Sequence, residues 1–430
     1  MNVIFFIIVF IAFLSAGWRQ FNWAPENGDV SPMEGLTRAM LESASGSVEL
    51  ALGLVGVMTL FLGLMKVAEA GGMLTVLAKL IRPLMVRLFP EVPPEHPAMG
   101  SMILNMSANA LGLGNAATPF GIRAMQELDK LNSRPGTATD SMVLFLAINT
   151  SNVTLLPTGV IALRAAAGSA DPAGILPTTL FATICSTIVA IFAAKLYGRL
   201  ARRTRPVEIE KMGTPDAAPP KNETMTEASE KGYPVWVSGI ALCVLMSLVP
   251  LTVIYGRSIS PWIIPGLMLG FLAFGIAKRV RVYEVFVDGA KEGFQVAIRI
   301  IPFLVAILVA VGMFRASGAM ETMVSLLGAW TQKVGLPAEA LPMALLRPLS
   351  GSGAYGIMAS IINDPAIGPD SYTGYLVSTM QGSTETTFYV LAVYFGAVQI
   401  RRIRHALPAA LTADLAGITA AVVVCLLLYG

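Results

Sequence analysis

One polar-interrupted apolar segment is written twice in this chain, and that duplication restricts the fold to two related halves. Ala68-Glu69-Ala70-Gly71-Gly72-Met73 reappears as Arg315-Ala316-Ser317-Gly318-Ala319-Met320, and Pro90 reappears as Pro337, both at an offset of 247 residues. Further on, Asn149-Thr150-Ser151-Asn152-Val153-Thr154 lines up with Gly382-Ser383-Thr384-Glu385-Thr386-Thr387. Polar runs inside apolar spans are costly in lipid unless they face a cavity. A duplicated segment of this kind points to a transporter binding site. The alternative is a packed bundle whose hydroxyls bond backbone carbonyls.

The spans themselves follow from composition. Of 430 residues, 55% are hydrophobic and 13% charged, against about a quarter charged in soluble proteins. Windows 3–17, 48–65, 139–163 and 175–198, then 234–255, 261–277, 293–313, 373–398 and 405–429, approach the length of a bilayer crossing. An all-α polytopic membrane protein is expected, with the lipid bilayer as its first partner. No basic residue precedes 3–17, so an uncleaved first helix is expected rather than a secretory signal. Cys185, Cys243 and Cys425 lie in apolar spans and read as small hydrophobes. Met99, Met102, Met106 and Met313 read as core filler. His96 and His405 are far apart and lack partners for zinc. A net charge of +3 without a basic block gives no sign of nucleic-acid binding.

Residues 204–232 are polar and Pro-rich and read as a linker between a first unit, 1–203, and a second, 233–430. Ser31-Pro32-Met33-Glu34 should cap a short helix, 32–44, ahead of the second span. Basic clusters at Arg199–Arg205, Lys278–Arg281 and Arg401–Arg404 mark the cytoplasmic side. Counting crossings between them puts the N-terminus and residues 66–138, with seven basic residues, inside, and the C-terminus and 314–372, with three, outside. Helix 48–65 and its copy 293–313 then run in opposite directions, so the repeats are inverted. Within each, Gly and Pro interrupt 97–130 and 342–362. Both read as re-entrant hairpins that bring Asn115 and Ser352 toward the midplane, or as amphipathic helices at the interface.

The runs Met99-Gly100 through Asn109, Gly112-Leu113-Gly114-Asn115-Ala116-Ala117-Thr118-Pro119 and Asn149 through Thr154 resemble bacterial spore maturation protein A. Arg347-Pro348-Leu349-Ser350-Gly351 and Gln381-Gly382-Ser383-Thr384-Glu385-Thr386-Thr387-Phe388-Tyr389-Val390 resemble spore maturation protein B. The likeness covers nearly the whole chain outside the linker, as in a natural fusion of the two. It implies two gate-type repeats with re-entrant hairpins and broken helices, of the nucleoside recognition group, in the bacterial inner membrane. Gln381 through Glu385 is also similar to the Gly-Gln-Thr-Glu hairpin tip of concentrative nucleoside transporters, with Gly382 and Ser383 inserted between Gln381 and Thr384.

Glu385 is the sharpest candidate, because a carboxylate in an apolar span must be protonated, paired or facing water. Asn152 is its expected counterpart in the first repeat, and Asn105 that of Arg347, so both charges belong to one repeat. Either they form a structural ion pair, or they recognise a polar or zwitterionic solute together. The expected solute site comprises Asn105, Asn109, Asn115, Thr118, Arg347, Ser350, Ser352, Gln381, Ser383, Thr384 and Glu385. Asn149, Thr150, Ser151, Asn152 and Thr154, with Glu385, are the candidates for ion coupling, sodium or proton, unless their hydroxyls bond backbone. Asp364 and Asp370 read as solvated loop residues. No cofactor is expected, and homo-oligomerisation is left open. The expected function is secondary transport of a small polar solute; the rival is a non-transporting membrane assembly or regulatory protein. No phosphate-binding Gly-x-x-x-x-Gly-Lys-Ser/Thr run and no nucleophile–histidine pair supports an ATPase or an enzyme.

Overall fold

The computed structural model describes residues 2–24, 30–112, 114–204 and 233–430. The expected linker, from residue 205 on, lies outside them. Among the described residues the regular elements are helical, and one isolated bridge joins Thr137 to Arg402. The first half contains α1 (Asn2–Phe21), α2 (Pro32–Ala70), α3 (Met73–Leu88), α4 (Pro97–Ala110), α5 (Gly114–Lys130), α6 (Asp140–Ser151), α7 (Thr158–Ala166) and α8 (Leu176–Thr204). The second contains α9 (Val235–Ala277), α10 (Val282–Ala316), α11 (Ala319–Thr331), α12 (Leu341–Leu346), α13 (Gly351–Ile362), α14 (Tyr372–Ser383), α15 (Thr387–Gly396) and α16 (Ala406–Tyr429). By length and composition α2, α8 and α16 can each cross a membrane. The last turns of α10 and the start of α11 form a fourth candidate, bent by 74°.

Ser31 caps α2 as expected, its hydroxyl accepting from the Glu34 N–H at 3.3 Å. The short helix expected at 32–44 does not end there, however, and α2 runs unbroken for 39 residues. Ser47 bonds back to the Ser43 carbonyl, so its hydroxyl is satisfied inside the helix and does not stop it.

The repeat is visible in the backbone, with a register one residue shorter than the sequence alignment. At the end of α2, Gly71 donates to Val67, Gly72 to Glu69 and Val76 to Gly72. At the end of α10, Ser317 donates to Met313, Gly318 to Arg315 and Thr322 to Gly318. Gly72 and Gly318 both have positive φ, 84° and 79°, a conformation that favours glycine. They are therefore the true equivalents, and Gly71 matches Ser317.

α2 and α10 lie antiparallel along most of their length. Gly289 lies against Leu62 and Lys66, Gly293 against Met58 and Thr59, and Gly312 against Ala39 and Ser43. The inverted direction of the two copies is thus a packing fact, made possible by small residues that let the backbones approach. The two passes expected at 234–255 and 261–277 form one helical stretch, α9. Ser238 near its start donates to the Leu80 carbonyl at 2.7 Å, while Gly275 near its end abuts Val67. A straight helix between those two residues would extend about 55 Å, much farther than residues 67 and 80 are apart along α2 and α3. α9 therefore bends back between its ends.

The halves interdigitate. One core cluster joins Met99, Met102 and Phe145 to Tyr394, Phe395 and Ala409. Another joins Leu54, Val160 and Ile161 to Met343, Ile357 and Met380. Lipid is as apolar as these side chains, so close van der Waals packing is the main source of cohesion within each cluster, and neither cluster belongs to one half alone.

Candidate functional site

Both expected hairpins form. α4 and α5 are joined by a tight turn at Leu111-Gly112, and Asn105 reaches from one arm to the Ala117 carbonyl on the other at 2.8 Å. In the second copy the first arm is shorter, a 3-10 turn at Ala338–Ala340 leading into the six residues of α12. Pro342 and Pro348 restrict helix formation there.

The segments after the hairpins are broken helices. α6 stops at Ser151 and the chain resumes as α7 only after Pro157. α14 stops at Ser383, and Thr384 and Thr386 are extended before α15. Hydroxyl side chains compete with the helical ladder at such points. The two breaks touch, the Glu385 N–H donating to the Thr150 carbonyl at 2.8 Å. Each break also holds the tip of its own hairpin. Leu155 N–H donates to the Ala110 carbonyl at 3.0 Å, and Phe388 N–H to the Pro348 carbonyl at 3.1 Å.

These elements bear on two expected pairings. Thr139 and Ser371 cap the starts of α6 and α14, and Asn152 and Thr384 cap their ends. These caps set Asn152 opposite Thr384, whereas the bonds from Leu155 and Phe388 keep the offset that sets it opposite Glu385. Leu111 and Arg347 likewise end α4 and α12, and the bonds from the breaks set Ala110 opposite Pro348; both relations place the counterpart of Arg347 within 109–111, at the hairpin tip, and not at Asn105.

The expected ion pair between Arg347 and Glu385 does not form. Arg347 is 3% exposed and donates from Nη1 to Thr386 Oγ1 at 3.2 Å, while its Nε has no partner among the described residues. The Glu385 side chain is exposed. A buried acid does stand nearby: Asp414 on α16, 2% exposed, whose Oδ2 accepts from Thr387 Oγ1 at 2.7 Å and whose Oδ1 has no partner among the described residues. Sequence reasoning missed it, although it is the one charged residue in the apolar window 406–429.

The amides form a second network. Asn149 Oδ1 accepts from Asn109 Nδ2 at 3.1 Å and from the Tyr394 hydroxyl at 3.3 Å. Asn105 Nδ2 also reaches that hydroxyl at 3.1 Å. Tyr394, from α15, thus binds the first hairpin and the first broken helix to the second repeat. Gly121 on α5 leaves the space for its hydroxyl.

Several remaining candidates serve their own helices. Thr150 and Ser151 donate to carbonyls one turn back, as does Ser383, and Asn149 Nδ2 donates to Phe145. Ser350 caps α13 by accepting from Gly353 N–H at 3.0 Å, with the exposed Ser352 beside it. Thr384 is buried against Gly417, and the amide oxygen of Gln381 is buried without a partner. Thr154 lies half-buried in the first break and Thr118 half-buried on α5. The Asn115 side chain falls outside those described.

Two straps join the repeats at opposite ends of the α6–α7 line. At one, Arg164 of α7 is fully buried, 3.0 Å from Asp370, donating to the Pro369 carbonyl at 2.6 Å and lying 4.2 Å over the Tyr375 ring. Asp370, expected to be a solvated loop residue, also accepts from Ala170 N–H at 2.7 Å. Asp364, expected likewise, pairs with Arg315 at 2.7 Å. At the other end Arg404 pairs with Asp140 at 2.7 Å, and Ala138 N–H donates to the Arg402 carbonyl at 3.0 Å.

A family model described as Gate, nucleoside recognition, matches residues 51–167 and 297–401, one stretch in each half. Spore maturation protein B of Bacillus subtilis (strain 168) is 48% identical over 167 residues, covering 39% of this chain and 93% of that protein. Spore maturation protein A of the same strain is 43% identical over 165 residues, covering 38% of this chain and 84% of that protein. The two match different halves. A solved structure of CNTnw in an inward-facing, substrate-bound state superposes with a TM-score of 0.45 at 14% identity, over 98% of this chain and 90% of that one.

Proposed function

The chain belongs to the Gate family of nucleoside-recognition proteins, and we propose that it is a secondary transporter of a small polar solute, nucleoside-like or zwitterionic, in the bacterial inner membrane. One observation carries this reading. Where the two broken helices meet, the buried Arg347 guanidinium and the Gln381 amide each keep a buried polar atom with no partner among the described residues. Buried polar atoms are normally paired, and a guanidinium is suited to a carboxylate or phosphate on a ligand. Thr384 and Glu385 border the same crossing. Asn105, Asn109, Asn149 and Tyr394 would hold the first hairpin tip in place, more as frame than as ligand contacts.

Reconstituted protein in sealed vesicles, offered labelled nucleosides, nucleobases and short peptides under sodium and proton gradients, tests the proposal. Uptake of one of them, lost in Arg347→Gln, is expected. The second reading, a non-transporting assembly protein, draws support from the two straps, which hold the repeats together at both ends at once. Binding without uptake of any compound in the panel would favour it.

A further inference from the structure

We infer that Asp414 is a proton-binding site whose charge is set by Arg347 through the crossing. The two buried charges do not touch. Each is answered by one of two consecutive hydroxyls, Arg347 by Thr386 and Asp414 by Thr387. Each also retains one polar atom without a partner among the described residues, Nε and Oδ1. A carboxylate in an apolar span is costly unless it is compensated or neutralised. A single hydroxyl donor leaves Asp414 poised between those two states, because Thr387 can donate to the anion and accept from the acid.

The surroundings leave Arg347 as its principal partner. α14 and α15, which pack against α16, contain no charged residue. Tyr197 of α8 bonds Thr412 at 3.1 Å; of the charged groups, α6 contributes only Asp140, and the described side chains of α8 contribute Lys195 and Arg199. All three line a separate cavity at the far end of the bundle, with Glu91. α8 faces Asp414 with hydroxyls instead, Ser186 donating to the adjacent Ala413 carbonyl at 2.8 Å. Glu385 at the break is exposed.

The consequence for transport rests on the function proposed above. A solute anion seated on Arg347 would remove the charge that stabilises the Asp414 carboxylate. The carboxylate would then take one proton from bulk water to become the neutral acid, and release it when the solute leaves. Linkage makes this reciprocal, so a protonated Asp414 favours the anion and the two bind together. Solute and proton would move in the same direction.

Infrared difference spectroscopy of the purified full-length protein, titrated from about pH 9 down to about pH 6, where ordinary carboxyls stay ionised, tests the site without any solute. A protonated-carboxyl band should grow in as pH falls, be missing in Asp414→Asn, and persist at a displaced frequency in Asp414→Glu. In Arg347→Gln its midpoint should move up by roughly 1–3 pH units, the size of the shift a nearby opposite charge produces. A titrating band that survives in Asp414→Asn, or an unmoved midpoint in Arg347→Gln, overturns the inference. Failure of every vesicle uptake assay would instead count against the transport reading and leave this titration standing.

Discussion

The amide of Glu385 donates to the carbonyl of Thr150 at 2.8 Å, and this one backbone bond joins the broken helix of each repeat to that of the other. The side chain that drew attention to position 385 takes no part in it. Glu385→Gln should therefore leave stability unchanged, whereas Glu385→Pro removes the donor. Thr384 already has φ −141° and ψ 162°, which a following proline accepts. Stranding the buried carbonyl should cost about 1–3 kcal/mol. Melting in detergent decides, and equal melting of the two variants would show that the bond is immaterial.

Arg164 is the more demanding half of its strap. It is fully buried, while the Asp370 side chain is 37% exposed. Arg164→Met should cost roughly 1–3 kcal/mol for each buried acceptor it strands, the Pro369 and Asp171 carbonyls among them. Asp370→Asn should cost less, because an amide oxygen can still accept from Arg164 and the guanidinium keeps its carbonyl partners. Melting temperatures for the two single variants and the double give the comparison; a larger loss for Asp370→Asn would reverse the assignment.

Gly293 has no room for a methyl group, as a Cβ there would stand 2.7 Å from Thr59 Cα and 2.8 Å from the Met58 carbonyl oxygen. Both are backbone atoms and cannot swing away. Gly293→Ala should destabilise by about 1–3 kcal/mol through forced separation of α2 and α10. Gly239→Ala, which meets nothing within 4 Å, is the control. Similar melting of both variants would contradict the close packing.

His96 gives a pH dependence outside the membrane spans. Its Nδ1 accepts from Ala98 N–H at 3.2 Å at the start of α4, and burial holds its pKa below the usual 6.5. The folded state therefore binds fewer protons than the unfolded one. The stabilisation is complete above about pH 6.5 and is lost as pH falls through the lower folded value. His96→Asn, which keeps a capping acceptor that does not titrate, should flatten this part of the melting profile. Identical profiles for the two proteins would rule the mechanism out.

What could be read from the sequence was mostly what local backbone chemistry dictates. Gly, Pro and hydroxyl runs announced the hairpins and both breaks, because such residues act on their own turn of chain. The repeat was found one residue out of register because matching letters aligned Gly71 with Gly318, whereas positive φ selects Gly72. Partnerships between distant segments were not legible. Nothing near Arg347 in the chain reveals that Thr386 takes its hydrogen bond, nor does anything near Asp370 reveal Arg164. Asp414 was within reach, since a single acid in an apolar window deserves the same scrutiny as Glu385.

The two shared cores also bear on how the molecule is made. Met102 needs Tyr394 and Ala409 to complete its cluster, and Met380 needs Leu54 and Ile161. A ribosome that had finished only the first half would have released a piece with half of each core still facing lipid. Genes for residues 1–204 and 233–430, expressed apart, should yield little stable protein, and expressed together they should co-purify. The peptide between them then acts chiefly as a counting device: it delivers two mutually dependent halves to the membrane in equal number.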